Sequence, residues 1–169
     1  MHFRVYDRAP TRFRTGEVVE CVDDELKSHP NQTDSWLAAL NVMSFWEGIT
    51  NAELTKVLRL SHPATSRLVE RLQARGLVET RPGKDRRASY LYLLPAGPKL
   101  IEPALITRCE VVDRYLEPLI SDERAQLERL LEKLIRPLVV GDLEVAHFCR
   151  RCSFASCPDG ECPMHTAAD

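Results

Sequence analysis

The sequence predicts a mainly α-helical protein with a small β wing, in which a winged helix-turn-helix domain is flanked by terminal helices. Apolar residues recur every three or four positions through much of the 169-residue chain, as they do on the buried face of a helix. Two short β-prone runs, at 77–80 and 90–93, enclose a polar segment containing Pro82 and Gly83, which is typical of a hairpin. Basic residues concentrate on this hairpin and on the helix before it. The order helix, turn, basic helix and charged hairpin is typical of a domain that holds duplex DNA.

The two central helices are delimited by residues that cap helix ends. Thr50 followed by Glu53 forms a capping box, so the first of these helices is expected to begin there. Ser61 can cap the second helix, which tolerates Pro63 in its first turn, and Gly76 is a natural C-terminal stop. The residues expected on the inward face of the second helix are Ala64, Leu68, Val69 and Leu72.

The charge of the chain is unevenly distributed. Between Arg59 and Tyr90 there are eight basic and three acidic residues, a local charge of +5 in a chain of net charge −2. A basic segment inside a mildly acidic protein is the expected footprint of phosphate neutralisation. The alternative is a solvated charged surface on an unrelated helical domain, and the order of the predicted elements favours the DNA interpretation.

The DNA interpretation assigns roles to individual side chains. The second helix would enter or border the major groove with Ser61, His62, Pro63, Thr65, Ser66, Arg67 and Arg71. Among these, Arg67 and Arg71 are the candidates for guanine or phosphate contacts. The hairpin loop would place the wing on the DNA backbone through Lys84, Arg86 and Arg87.

The segment 50–97 resembles the MarR family of bacterial transcriptional regulators. The resemblance is carried by Arg75-Gly76-Leu77 after the second helix, Asp85-Arg86-Arg87 in the wing, and Leu93-Leu94-Pro95-Ala96-Gly97 after it. The sequence departs from the family at Leu94, where threonine is usual. The resemblance implies that Asp85 orients Arg87 and that an arginine of the wing enters the minor groove.

The same resemblance implies an assembly. In MarR-like proteins the terminal helices intertwine across a two-fold axis, so we expect a homodimer that binds a pseudo-palindromic operator in double-stranded DNA, with half-sites about one DNA turn apart. Repression is the expected sign of regulation. The alternative is a monomer in which these helices cover the chain's own core.

Four segments follow from these patterns. Residues 1–32 would form an N-terminal arm and a dimerisation helix, 33–97 the winged helix-turn-helix domain, 98–140 the C-terminal dimerisation helices, and 141–169 a cysteine-rich tail. An apolar helix at 36–46 would be the central packing helix of the winged domain. Its aromatic residues are interpreted as core rather than as a ligand box: Trp36, Phe45 and Trp46.

The tail has the spacing C-x2-C-x4-C-x4-C, formed by Cys149, Cys152, Cys157 and Cys162. Four thiolates on short loops suit tetrahedral Zn²⁺ or an iron–sulfur cluster, with disulfides or free thiols as a third alternative. Such a site could brace the protein or act as a redox or metal switch. His147 and His165 flank the cysteines and are interpreted as surface histidines, although either could replace one cysteine.

A further cysteine, Cys21, belongs to the predicted first helix. Cys21 is interpreted as a small buried apolar residue. Peroxide sensing, which the family resemblance implies for some relatives with a cysteine in this helix, is the alternative interpretation.

Other classes are disfavoured by the sequence. No apolar run approaches a signal peptide or the ~20 residues of a membrane span, which predicts a cytoplasmic protein without a membrane partner. No nucleophile–base constellation or phosphate-binding glycine loop is present, which argues against an enzyme. A winged-helix module that binds protein instead of DNA, with a structural zinc tail, is the alternative function. Any small-molecule effector is left open.

Overall fold

The computed structural model describes residues 34–83 and 89–152, together with Glu20 and Asp24, which are both helical. The elements are α1 (Asp34–Phe45), β1 (Ile49–Thr50), α2 (Asn51–Leu58), α3 (His62–Ala74), β2 (Val78–Pro82), β3 (Ser89–Leu93), α4 (Pro98–Leu116), α5 (Ser121–Ile135), a 3₁₀ turn (Arg136–Leu138) and α6 (Asp142–Cys149). The predicted fold class, mainly α with a small β wing, is confirmed. Apart from Glu20 and Asp24, the predicted first helix lies outside the described residues.

The predicted caps determine where α2 and α3 begin. The hydroxyl of Thr50 accepts the backbone N–H of Glu53 at 3.2 Å, and the Glu53 carboxylate accepts the backbone N–H of Thr50 at 2.8 Å. The capping box is therefore confirmed. Ser61 caps α3 by accepting the backbone N–H of Ala64 at 3.4 Å, and Pro63 lies in the first turn as expected.

Gly76 ends α3 and directs the chain into the wing. Its φ of 66° lies in the left-handed region, which favours glycine. The N–H of Leu77 donates to the carbonyl of Leu72 at 3.0 Å, and the N–H of Gly76 donates to the carbonyl of Gln73 at 2.9 Å. This pair of bonds is a Schellman motif, and its apolar partners Leu72 and Leu77 are both buried.

The sheet has three antiparallel strands in the order β1-β3-β2. In the hairpin, Val78 pairs with Leu93 and Pro82 pairs with Ser89, so the predicted wing is confirmed. The strand β1, which pairs Ile49 with Leu91, was not predicted. Two residues are too few to show the alternation by which a strand is recognised in a sequence.

The core lies between α1, α2, α3 and the sheet. Its fully enclosed large side chains include Leu40, Ile49, Leu54 and Leu72. The aromatic residues assigned to the core pack against it with partial burial: Trp36, Phe45 and Trp46. Ile101 near the start of α4 joins the same core, so α4 is rooted in the winged domain.

Helices α4 and α5 carry apolar side chains that the described part of the chain leaves exposed. Helix α5 buries none of its residues. The exposed large apolar residues, which we call the apolar face, are Ile106, Val112, Tyr115, Ile120, Leu130, Leu131, Leu134, Leu138 and Val140. A concentration of exposed apolar side chains generally marks an interaction surface.

Helix α6 was not predicted, because the segment 141–169 was assigned as a whole to the cysteine-rich tail. The helix begins after Gly141, whose φ is 79°, and packs on the winged core. Ala146 joins the main core, while Val145 and Cys149 form a second buried cluster beside Phe45. The first part of the tail is therefore built into the winged domain.

Across the described ranges, no helix combines the length and apolar character that a membrane crossing requires.

Candidate nucleic-acid interface

Helix α3 divides into a buried face and an exposed face. Leu68, Val69 and Leu72 are buried, whereas Arg67 and Arg71 are exposed one turn apart on the other side. At the start of the helix the cap and the first turn are also exposed: Ser61, His62 and Pro63. The exposed face therefore carries most of the residues predicted to contact the major groove.

Thr65 is corrected by the structure. Its side chain is 0% exposed, so it cannot contact DNA from this conformation. The hydroxyl donates to the backbone carbonyl of Ser61 at 3.2 Å, which satisfies its polarity inside the core. Thr65 lies three and four residues before Leu68 and Val69, and therefore shares their inward face.

Ser66 is partly buried and is already hydrogen-bonded within the motif. Its hydroxyl accepts from the side-chain amide of Asn51 at 3.1 Å and lies 3.3 Å from Nδ1 of His62. If the hydroxyl donates to that nitrogen, the neutral His62 ring carries its proton on Nε2. Ser66 thus links α2 to α3 and contacts the ring of His62 at the exposed end of α3.

The described arginines of this region fall into two groups. Arg75 stacks over Trp36 with 4.3 Å between the guanidinium carbon and the ring centroid, and Arg81 stacks over Tyr92 at 4.2 Å while bonding Glu79. Arg67 and Arg71 have no ion pair or stacking partner within the described ranges. These two positive charges are therefore free to meet an anionic partner.

The wing is fixed to α3, and its loop carries the remaining predicted contacts. The amide of Gln73 near the end of α3 donates to the hydroxyl of Thr80 on β2 at 2.7 Å. This bond holds the hairpin in a fixed position relative to the exposed face of α3. The loop residues Lys84, Asp85, Arg86 and Arg87 lie outside the described residues, so their assigned roles stay predictions.

His147 of α6 contacts the helix-turn-helix motif directly. Its Nδ1 lies 2.7 Å from the backbone carbonyl of Val57 in α2. A carbonyl can only accept, so Nδ1 carries the proton. Burial lowers the pKa of His147, and the charges of Arg150 and Arg59 lower it further against the opposing effects of the Val57 carbonyl and Glu144. The prediction that His147 is a surface residue is wrong, because it is only 8% exposed.

Two further contacts join α6 to the winged domain. The guanidinium of Arg59, in the turn between α2 and α3, lies 2.8 Å from the carboxylate of Glu144. The buried side chain of Asn41 in α1 donates to the carbonyls of Cys149 at 3.3 Å and Cys152 at 3.0 Å. None of these pairings was predicted. A lone asparagine in the apolar helix 36–46 was the available signal, since a buried amide requires partners.

The predicted metal ligands are only partly described. Cys149 is buried at the end of α6 and Cys152 is exposed one turn later, whereas Cys157 and Cys162 lie outside the described residues. In the part of the chain that the structure describes, no three His, Cys, Asp or Glu side chains are grouped to hold a metal ion. The four-cysteine site therefore stays a prediction. Cys21 also lies outside the described residues, and Cys109 is exposed on α4.

The exposed basic helix, the capped helix before it and the three-stranded wing define the chain as a winged helix-turn-helix protein. Comparison with known proteins specifies the class. A family model described as the MarR family matches residues 33–88. The HTH-type transcriptional regulator BilQ of Clostridium symbiosum (strain WAL-14163) is 33% identical over 105 residues, which cover 62% of this chain and 69% of the relative. An uncharacterized HTH-type transcriptional regulator of Bacillus subtilis (strain 168), YsmB, is 32% identical over 100 residues, covering 59% and 64% of the two chains.

Solved structures agree with this relationship. The apo form of wild-type MarR from E. coli aligns with a TM-score of 0.61 and 27% identity, covering 72% of this chain and 96% of that chain. The chain belongs to the MarR family. It is accordingly a transcriptional regulator of the DNA-binding class rather than an enzyme.

The burial of Thr65 can be tested against the exposure of Arg67. Thr65→Val removes the buried hydroxyl but keeps the volume, and should lower the free energy of unfolding by about 1 kcal/mol because one hydrogen bond is lost. Arg67→Ala should change it by less than about 0.5 kcal/mol, as expected for an exposed residue. Urea unfolding measures both values. A Thr65→Val protein of unchanged stability that binds DNA poorly would contradict the buried assignment.

Proposed function

We propose that the chain is a homodimeric, sequence-specific regulator that binds a pseudo-palindromic operator in double-stranded DNA, with repression as the sign of regulation. One observation carries the proposal: Arg67 and Arg71 are exposed on α3 without partners in the described ranges, beside a wing fixed to the same helix. An α-helix of this kind fits the major groove, where arginine can bond the edge of guanine in a bidentate manner.

The first turn of α3 supplies the second part of the proposed interface. Ser61, His62 and Pro63 are exposed there, and His62 can donate through Nε2 to a base edge or a phosphate oxygen. Ser66 would position His62 and border the groove. Lys84, Arg86 and Arg87 would hold the wing on the backbone, with Asp85 orienting Arg87 and an arginine entering the minor groove. In this arrangement α3 provides base preference and the wing provides affinity for any duplex.

The apolar face supports the proposal of a homodimer. Leu130, Leu134 and Leu138 of α5 and the following turn are 52%, 69% and 61% exposed. A second copy could cover these side chains through the same face, as a two-fold axis requires. Two copies of α3 held at a fixed separation would then address half-sites about one DNA turn apart.

The proposed function is tested by selecting bound sequences from random DNA duplexes. A regulator should enrich a pseudo-palindrome, whereas the absence of any enriched sequence would favour the protein-binding alternative. On the selected duplex, Arg67→Ala should cost about 1–3 kcal/mol and relax the preference at one position of each half-site. Arg87→Ala should weaken binding to all duplexes and reduce the salt slope by about 1. Identical effects of the two substitutions would contradict the division between α3 and the wing.

The dimer is tested with a charge on the apolar face. Leu134→Glu should dissociate the protein into monomers, because enclosing an unpaired carboxylate in an interface costs several kcal/mol. Arg129→Glu places the same group on the opposite side of α5 and should leave the dimer intact. Analytical ultracentrifugation gives the mass of each variant. A monomeric wild type, or a dimeric Leu134→Glu variant, would refute the assignment of this face.

We further propose that the tail binds a metal centre through Cys149, Cys152, Cys157 and Cys162. The support is the C-x2-C-x4-C-x4-C spacing, together with the amide of Asn41 that holds the carbonyls of the first two cysteines. Four thiolates around Zn²⁺ would carry a net charge of about −2. The neighbouring Arg150 and Arg151 would offset it. Zinc and an iron–sulfur cluster both suit this ligand set.

Metal analysis and the visible spectrum of anaerobically purified protein distinguish the two centres. Zinc would give about one colourless ion per chain, and an iron–sulfur cluster would give iron and a brown colour. Cys152→Ser should lower the metal content, whereas Cys109→Ser on α4 should not. A metal-free wild type would refute the site. DNA affinity of metallated, chelated and peroxide-treated protein then separates a switch, which changes affinity, from a brace, which does not.

A further inference from the structure

We propose that helix α6 is a positioning element for the recognition helix α3, and that His147 and Glu144 are its positioning residues. The inference rests on the proposed DNA-binding function of α3 and extends it to a part of the chain remote from the exposed basic face. Helix α6 meets the helix-turn-helix motif at the C-terminal end of α2 and at the turn that connects α2 to α3.

The first contact is the bond from Nδ1 of His147 to the carbonyl of Val57 at 2.7 Å. The last carbonyls of a helix have no partner within it, and Val57 is the penultimate residue of α2. His147 therefore completes the hydrogen bonding of α2 from outside. Val57 is fully buried and His147 nearly so, so water is a poor substitute for this bond.

The second contact is the ion pair between Glu144 and Arg59, whose backbone conformation is strained. Arg59 has φ 53° and is the one non-glycine residue with positive φ in the described ranges. Glycine normally occupies such a position, because a Cβ is unfavourable there. At this position the chain instead carries a long side chain that reaches Glu144 of α6 at 2.8 Å. The turn thus carries arginine instead of the favoured glycine, and this arginine connects the turn to α6.

The far end of α6 is anchored to a different helix. Asn41 of α1 is 1% exposed and donates to the carbonyls of Cys149 and Cys152 at the end of α6. Helix α6 therefore bridges α1 and the α2–α3 turn. Because the Ser61 cap of α3 follows Arg59 by two residues, a displacement of this turn would alter how α3 is presented.

The bridge also determines how the cysteine tail could act. Cys149 is the last residue of α6, and Cys152 follows within one turn. If metal loss or oxidation at these thiols displaced the end of α6, the displacement would be transmitted to α3 through α6 and the α2–α3 turn. No change in the separation of the two subunits is required.

The test compares variants of the full-length protein. His147→Ala removes the donor to Val57, and His147→Asn restores an amide donor near the position of Nδ1. Glu144→Gln weakens the pair with Arg59. Glu132→Gln is the matched control, since Glu132 pairs with Arg136 at 2.7 Å with similar exposure but lies on α5 away from the motif. The probes are the duplex recovered by selection and a scrambled duplex of equal length.

We expect His147→Ala to weaken binding to the selected duplex about tenfold. His147→Asn should recover part of the loss, Glu144→Gln should lose about twofold to fivefold, and Glu132→Gln should match the wild type. In the absence of DNA, the amides of Arg59 and Leu60 should exchange hydrogen faster in His147→Ala than in the wild type. If His147 acted only through the packing of its ring, the asparagine substitution would not restore DNA binding.

Unchanged affinity together with unchanged exchange at Arg59 and Leu60 in His147→Ala and Glu144→Gln would overturn the inference. Failure of the wild type to enrich any duplex would instead refute the proposed function. The exchange measurement then still decides whether α6 holds the turn, because it needs no DNA.

Discussion

The burial of one face of α3 is the constraint on which the rest of the winged domain depends. Leu68, Val69 and Leu72 are enclosed by α1, α2 and the sheet, and each such side chain contributes roughly 1.5–3 kcal/mol when it leaves water. Exposed arginines contribute far less to folding, since even paired surface charges are worth about 0–1 kcal/mol. The inward face therefore fixes the helix. Arg67 and Arg71 can remain without partners in the described ranges at little cost to stability.

The long C-terminal helices follow a different rule. Helix α5 has 15 residues and buries none of them, although an isolated helix of about 12–15 residues is marginal in water. Ile135 packs on the second buried cluster, but most of the apolar side chains of α5 require packing that the described part of a single chain does not supply. The proposed dimer resolves this requirement. In that assembly folding of α5 and association are coupled, and the separation of the two recognition helices depends on the same contacts that stabilise α5.

Much of the motif could be predicted from sequence because its signals are local. The Thr50–Glu53 box, the Ser61 cap and Gly76 each depend on neighbouring residues, and all three lie where the sequence places them. The prediction that Thr65 contacts DNA was wrong because it assumed that a polar residue faces outward. The hydroxyl of Thr65 instead bonds the helix backbone, which permits its burial.

Contacts between distant parts of the chain could not be predicted in the same way. The bond between His147 and Val57 joins residues 90 positions apart, and neither residue carries a local sign of it. Because of the cysteine spacing, residues 142–149 were also assigned to the metal-binding tail, although these residues form a helix that packs on the winged core.

The free energies of the individual contacts indicate which contact of α6 matters most for the α2–α3 turn. A left-handed conformation costs a residue such as Arg59 about 1–2 kcal/mol, and an exposed pair with Glu144 returns about 0–1 kcal/mol. Loss of the buried bond to Val57 would leave a carbonyl unsatisfied at about 1–3 kcal/mol. The conformation of the α2–α3 turn therefore depends more on His147 than on the ion pair.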